Sequence, residues 1–192
     1  MFLLVLASVV GLAFIIERGL ALRWSKVIPP YVKTTAENCK TREDLPRLTQ
    51  SCTANPSPTS RLLLLAKDNL MNPREAIVEL VQTRARQEVV RLERGLVILE
   101  IVVGIAPLLG LVGTIHGLIT LFGDLGKTGV ADNAVLAKGI AIALNTTLMG
   151  LLVAIPSLVA WSYYNKKVET MAVEMEGVLD QFVRQQAEQK KV

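Results

Sequence analysis

The sequence is poor in the residues that most often carry catalysis. Its 192 residues include one histidine and two cysteines, and 5% are aromatic. An enzyme in the membrane would need a nucleophile with its base or a cluster of metal ligands, and this composition argues against both. Cys39 and Cys52 have no C-x-x-C partner, so we interpret them as ordinary reduced thiols. The sequence thus predicts no enzyme, no metal site and no bound cofactor.

Charged residues are absent from long stretches of the chain. It is 51% hydrophobic, and its apolar residues concentrate near residues 2–22, 96–122 and 135–164. Because a bilayer core about 30 Å thick needs roughly 20 apolar helical residues, the second and third stretches predict membrane spans. The first has only residues 2–16 free of charge and could be the apolar region of a signal peptide, but no positive segment precedes it and no small-x-small cleavage pattern follows. We therefore interpret it as a further span.

Basic residues are unevenly distributed between these spans. Residues 17–95 hold 14 of the 21 lysines and arginines, the stretch from Asn165 onward holds five, and residues 123–133 hold only Lys127. The positive-inside rule then predicts a periplasmic amino terminus and a cytoplasmic carboxyl terminus. Contact with anionic membrane lipids explains the net charge of +4, and no basic patch interleaved with aromatics indicates nucleic acid.

The fold class predicted is an all-α membrane protein with three transmembrane helices and long cytoplasmic helical extensions. The predicted segments are a first transmembrane helix at 1–23, a cytoplasmic helical segment at 24–94, a second transmembrane helix at 95–122, a periplasmic loop at 123–134, a third transmembrane helix at 135–164 and a cytoplasmic helical tail at 165–192.

The predicted cytoplasmic parts carry their own helical patterns. Prolines limit residues 24–60 to short helices. Asn72 and Pro73 are typical of a helix start, and we expect this helix to run into the second span with only Gly95 as a possible break. The tail repeats apolar residues at helical spacing from Val168 to Phe182. These apolar stripes favour a cytoplasmic bundle, with solvated stalks as the alternative.

Small residues recur on one face of each of the last two spans. They are Gly110, Gly113 and Gly117 in the second span and Ala143, Gly150 and Ala154 in the third. In lipid, small residues at spacings of three and four let helix backbones approach closely. Taken alone, the pattern predicts a tightly packed bundle, which a purely structural membrane scaffold would also show.

Hydroxyl and amide side chains accompany these small-residue faces. They are Thr114 in the second span and Asn145, Thr146 and Thr147 in the third. A lone membrane threonine usually bonds to its own helix, but polar groups on two such faces predict a narrow, hydrated ion pathway. In a scaffold, exchanging Thr114 and Thr147 for alanine would be silent.

Two prolines and the single histidine complete the candidate site. Pro107 and Pro156 predict kinks in the second and third spans, the first where a cavity would widen. His116 is the only mid-membrane group that titrates near neutral pH, so it is either pH-sensitive or a neutral, hydrogen-bonded side chain. No carboxylate lies in residues 101–122 or 139–165. A proton pathway would therefore need an acid from a partner.

Two motifs in the second and third spans resemble a known family. The segment APLLGLVGTIHGLI followed by GIAIALNTTLMGLLVAIPS is similar to the paired signature of the ExbB/TolQ/MotA proton-channel family. FIIERGLAL also resembles the Glu-Arg pair at the inner end of that family's first helix. The likeness covers about residues 93–167, and three spans without a large loop favour the ExbB/TolQ branch.

The resemblance implies a bacterial inner-membrane ring of five subunits around two single-span partners of the ExbD/TolR kind, each with a membrane aspartate. A TonB- or TolA-like protein is a further implied partner. Thr114 and Thr147 fall on the family's pore-facing threonine positions. The implied function is an ExbB-like subunit of a motor that converts the proton motive force into mechanical work on the cell envelope. TonB-dependent nutrient uptake is favoured over TolQ-like envelope maintenance.

One position departs from the family pattern. Ile142 stands where several members carry a glutamate in the third helix. The pathway thereby loses one acid, and Asn145 suits either a proton-conducting file of water or Na⁺. The sequence leaves both ions open as the one translocated.

Overall fold

The computed structural model describes residues 2–128 and 133–189. Within these ranges the chain is helical and contains no strand, which confirms the all-α prediction. Its α-helices are α1 Phe2–Ala21, α2 Trp24–Val27, α3 Pro30–Glu37, α4 Leu45–Ala54, α5 Pro58–Asp68, α6 Arg74–Glu93, α7 Leu96–Thr128 and α8 Asn133–Gln189, with a 3₁₀ turn at Arg42–Asp44.

Three of these helices are long and apolar enough to cross a membrane. They are α1, α7 over Leu96–Gly126, and α8 over Asn133–Ala187. The structure thus contains the three candidate spans predicted from the sequence. The predicted loop at 123–134 is helical at both ends, because α7 continues to Thr128 and α8 begins at Asn133. Residues 129–132 of that loop lie outside the described residues.

The chain divides into two compact units. Residues 1–18 and 95–163 form the first, which we call the membrane unit, and residues 19–94 and 164–192 form the second, which we call the bundle unit. The helix α8 contributes to both units, with the boundary between Tyr163 and Tyr164.

The bundle unit has an apolar core of its own. Pro58 stands in the first turn of α5, where its missing N–H costs nothing, and the Ser57 hydroxyl accepts a hydrogen bond from the backbone N–H of Ser60 at 3.1 Å. The largest fully buried apolar side chains in this core are Ile28, Leu48, Leu62, Leu63, Met171, Met175 and Phe182. Ile77, Val81 and Ala85 of α6 belong to the same core, so the apolar residues of α6 and of the carboxyl-terminal half of α8 meet there, as their stripes in the sequence predict.

A buried carboxylate links α5 and α6 in the bundle unit. The side chain of Glu88 is only 2% exposed and accepts hydrogen bonds from Arg61 Nε at 3.0 Å and Arg61 Nη2 at 2.6 Å. Arg91 Nη1 adds a third bond at 3.0 Å. Hydrogen bonds from the Arg61 guanidinium hold the pKa of the Glu88 carboxyl below its ordinary value, against the opposing effect of burial. Arg61 and Glu88 are 27 residues apart in the sequence, so their pairing depends on how α5 packs against α6.

The expectation of an unbroken helix from the bundle into the second span was wrong at one point. The helix α6 ends at Glu93, and α7 begins at Leu96. A Cβ placed on Gly95 would collide with the guanidinium of Arg18, so the chain carries glycine where α1 approaches it closely. The glycine itself was visible in the sequence as a possible break, whereas its close contact with Arg18 of α1 was not.

Candidate ion pathway in the membrane unit

The helices α7 and α8 of the membrane unit are in backbone contact along a seam of small residues. A Cβ placed on Gly150 would lie 2.6 Å from the carbonyl oxygen of Ala106 and 3.1 Å from Cα of Gly110. One placed on Gly117 would lie 3.3 Å from Cβ of Ala143. Residue numbers rise along α7 as they fall along α8, so the two helices are antiparallel. Only small side chains permit so close an approach. In lipid, where no hydrophobic effect draws helices together, the van der Waals contacts of the seam hold the pair together.

The helix α1 covers one side of this pair. A Cβ placed on Gly11 would lie 3.1 Å from Oγ of Ser157 on α8 and 3.4 Å from Cγ1 of Val102 on α7. Leu4, Ala106 and Ala154 form a second apolar cluster where the three helices meet. Sequence reasoning identified Ala154 but missed Gly11 of α1 and Ser157 of α8, each a small residue within an apolar helix.

Thr114 and Thr147 point to the same side of the α7–α8 pair. Thr114 follows Gly110 by four residues and precedes Gly117 by three, and Thr147 stands in the same relation to Ala143 and Gly150. At about 100° per residue, both threonines are turned away from the seam by a similar angle. Since the helices are antiparallel, equal turns bring the two side chains to one side. The two threonines singled out from the sequence thus lie on one side of the helix pair, at different levels along it.

The two threonines differ in burial within the chain. Thr114 is 8% exposed and donates its hydroxyl hydrogen to the carbonyl oxygen of Leu111 at 2.7 Å, while Thr147 is half-buried. Gly110 lies beside the Cα of Thr147, and Thr114 is four residues further along α7, a rise of about 6 Å. Each hydroxyl oxygen keeps acceptor capacity for water or a passing ion.

Thr146 occupies the seam itself. Its Oγ1 lies 2.7 Å from the carbonyl oxygen of Ala143 and 3.3 Å from that of Gly110. A Cβ placed on Gly113 would lie 2.9 Å from the same hydroxyl oxygen. Within the chain, Thr146 therefore links the two helices, and a role in lining the pathway stays a prediction.

Asn145 and His116 lie away from the threonine side. Each is two positions from a pathway threonine, a turn of about 200°, and both side chains are exposed in the single chain. Asn145 shares a shallow groove of α8 with Ile142 and Lys138. The structure does not bring Asn145 to Thr147 within one chain, so a joint pathway would need a second copy or a partner. The pH sensitivity of His116 also stays a prediction.

The two prolines lie inside continuous helices. Pro107 is within α7 and Pro156 within α8. Pro107 has no N–H to give to the carbonyl of Val103, four residues earlier, which weakens the helix at this level. Among the described residues, no group of three histidine, cysteine, aspartate or glutamate side chains could hold a metal ion. Residues 101–123 of α7 and 139–163 of α8 hold no acidic or basic side chain apart from His116, so the chemistry available along these stretches is that of hydroxyls, one amide, one indole, one imidazole and backbone carbonyls.

Comparison with known proteins identifies the family of the chain. Residues 56–177 match the MotA/TolQ/ExbB proton channel family. The chain belongs to this family. The matched range includes both threonines, the whole seam and the buried Glu88. This is a proton-channel family rather than a known enzyme family, and the three apolar helices agree with an inner-membrane protein.

Individual relatives come from both named branches. A "Biopolymer transport protein ExbB" of Aquifex aeolicus is 30% identical over 116 residues, which is 60% of this chain and 78% of the relative. An ExbB protein of Helicobacter pylori is 36% identical over 81 residues, 42% of this chain and 56% of that relative. A "Tol-Pal system protein TolQ" of Pseudomonas aeruginosa is 28% identical over 196 residues, 95% of this chain and 84% of the relative. These likenesses do not choose between ExbB and TolQ.

Proposed function

We propose that the chain is the ring-forming subunit of an inner-membrane motor driven by an ion gradient. In this proposal five copies surround two copies of a single-span, ExbD/TolR-like partner, and each partner helix carries a membrane aspartate. The position of Thr114 and Thr147 on one side of the α7–α8 pair supports this function best. The hydroxyls of Thr114 and Thr147 lie on one side, and residues 101–122 contain no acid. Such a surface of α7 and α8 suits a pathway along which a partner's carboxylate moves.

The energy released by a proton crossing the membrane is comparable to the cost of a charged carboxylate within it, so one proton can drive one step of such a motor. A charged carboxylate at the bilayer centre costs about 3 kcal/mol on insertion scales, and one proton crossing 100 mV releases about 2.3 kcal/mol. A partner aspartate would be neutral against the apolar wall and charged beside water or a threonine hydroxyl. Five wall positions against two partner helices prevent both aspartates from occupying equivalent sites at once, so protonation would drive stepwise movement.

We place the amino terminus in the periplasm and the carboxyl terminus in the cytoplasm, because the basic residues concentrate in the bundle unit, which includes the carboxyl-terminal tail. We favour work on the envelope for TonB-dependent uptake, since two of the three relatives described above are named ExbB. A TolQ-like role in envelope maintenance is the second candidate, favoured by the relative that matches 95% of this chain. The third is a non-conducting scaffold, for which the seam alone would suffice.

Substitution of Thr147 separates the motor from the scaffold. Thr147→Val removes the hydroxyl at nearly constant volume, so assembly should persist while energised uptake falls at least tenfold (about 1.4 kcal/mol). Thr120→Val is the matched control, since Thr120 lies on α7 and donates its hydroxyl to the carbonyl of His116 at 3.0 Å. Complex mass and ion-driven uptake are measured for both variants. Normal uptake in Thr147→Val would reject the motor in favour of the scaffold.

A further inference from the structure

A single carboxylate continues the threonine side of α7 toward one end of the membrane unit. Glu100 lies in the second turn of α7, fourteen residues before Thr114, and its side chain is exposed. Fourteen residues correspond to a rise of about 21 Å and a net turn of only about 40°. Pro107 stands midway, within about 20° of Thr114. The acid, the proline and the threonine therefore follow one stripe of the helix.

Among the described residues, no ionic partner lies beside the carboxylate of Glu100. Its neighbours at three and four residues are Leu96, Val97, Val103 and Gly104. None of the ion pairs within the described residues includes Glu100. A Cβ placed on Gly104, one turn further, would meet nothing within 4 Å. An acid in such apolar surroundings needs either water or a cation beside it.

The depth of Glu100 makes water accessible. No charged residue lies between Glu100 and Asp124 on α7, a length of about 36 Å against a bilayer core of about 30 Å. Helical side chains tilt toward the amino-terminal end of their helix, so the carboxylate of Glu100 is directed toward the near interface. The same end of the unit holds Arg18 and Gly95, which the charge distribution assigns to the cytoplasm.

Two backbone carbonyls of interest lie between Glu100 and Thr114 on α7. The carbonyl of Val103 lacks the hydrogen bond that Pro107 cannot donate, and the Leu111 carbonyl is held by the Thr114 hydroxyl. Val103 lies within about 20° of the direction of Thr114, so its freed carbonyl belongs to the same stripe. Acceptors thus recur between the threonine and the carboxylate.

We propose that Glu100 is the exchange site at the cytoplasmic end of the ion pathway, where the translocated cation leaves the stripe for water. This inference rests on the proposed function. A proton arriving from the path bonds to a carboxylate oxygen, and the resulting acid then gives that proton to interfacial water and regenerates the carboxylate. For Na⁺ the same carboxylate would coordinate the ion and release it unchanged.

The test uses the complex purified with its own partners and reconstituted into liposomes. H⁺ and Na⁺ fluxes are measured separately, while the pH on the cytoplasmic side is varied. A positioned proton-transfer group typically contributes about a hundredfold or more, and because interfacial water partly replaces it, Glu100→Gln should lower the flux about tenfold and abolish its dependence on that pH. Glu100→Asp should retain both. Glu169→Gln, which removes an exposed carboxylate paired with Lys166, is the matched control and should leave both unchanged.

A rescue experiment distinguishes exchange from a structural role. Acetate added on the cytoplasmic side should restore flux to Glu100→Ala, because a small acid can enter the space the side chain leaves. If the wild-type complex conducts and the Glu100→Gln variant has the same flux and the same pH dependence, this inference is overturned. The proposed function would still stand. Absence of any wild-type flux of H⁺ or Na⁺ would overturn both. Native mass of each complex shows that a loss of flux is not a loss of assembly.

Discussion

The close contact of α7 and α8 predicts that Gly150→Ala destabilises the membrane unit. The added Cβ would lie 2.6 Å from the carbonyl oxygen of Ala106, whereas an ordinary C···O contact is about 3.3 Å. The helices must then separate by about 0.7 Å, and a gap of this size forfeits about a quarter to a half of each dispersion contact. Overpacking typically costs about 1–3 kcal/mol. A helix-propensity gain of about 1 kcal/mol would offset part of this cost and leave a net loss of about 0–2 kcal/mol, against a gain where no collision occurs.

Gly104 provides the control for this prediction. It lies on α7 with nothing within 4 Å of an added Cβ, so Gly104→Ala makes the same chemical change without a collision. Helix propensity alone should then stabilise the unit by about 0.5–1 kcal/mol. The assay is unfolding in mixed detergents, followed by Trp161 fluorescence in a Trp24→Phe background. Equal stability of the Gly150→Ala and Gly104→Ala variants would refute a seam that depends on backbone contact.

Two predictions concern the bundle unit. Because the folded pKa of Glu88 is lowered, its pairing with Arg61 stabilises the unit above the ordinary carboxyl pKa of about 4.3 and is lost as pH falls through the folded value. Glu88→Gln should cost about 1–3 kcal/mol at pH 7 and flatten this acid dependence in hydrogen exchange of α5 and α6 amides; an unchanged pH profile would contradict the pairing. Burial raises the pKa of the Cys39 thiol to about 11, so about 0.1% is thiolate at pH 8. Alkylation of Cys39 and Cys52 by iodoacetamide should be slow in the native protein and fast once it is unfolded, and equal rates would show that these thiols are not buried.

The long helices could be predicted because their signals are local. Each of α1, α7 and α8 contains an apolar run long enough to span a membrane, and this signal does not depend on the rest of the chain. The seam was also predictable, since spacings of three and four fix which residues share a face. Thr114 and Thr147 could be paired for the same reason, because each stands at the same offset from its small neighbours.

Features that depend on distant residues could not be predicted. The close approach of Arg18 to Gly95 brings together residues far apart in the sequence, and the Glu88–Arg61 pair joins two helices whose packing neither helix specifies by itself. Asn145 shows a different difficulty. It is adjacent in sequence to the threonines, but a turn of about 200° from Thr147 places it on the other side of α8. Glu100 lies inside the predicted second span but was not singled out as a site residue, although its spacing of seven residues from Pro107 and again to Thr114 was the available signal.

The composition of the native complex tests the central claim most directly. The tagged chain is extracted gently from its own membranes at native expression and its mass is measured by native mass spectrometry. The account predicts five copies of this chain with two copies of a single-span protein that carries an aspartate in its membrane helix. A ring that contains no such partner would contradict the motor and leave Thr114 and Thr147 without the function assigned to them.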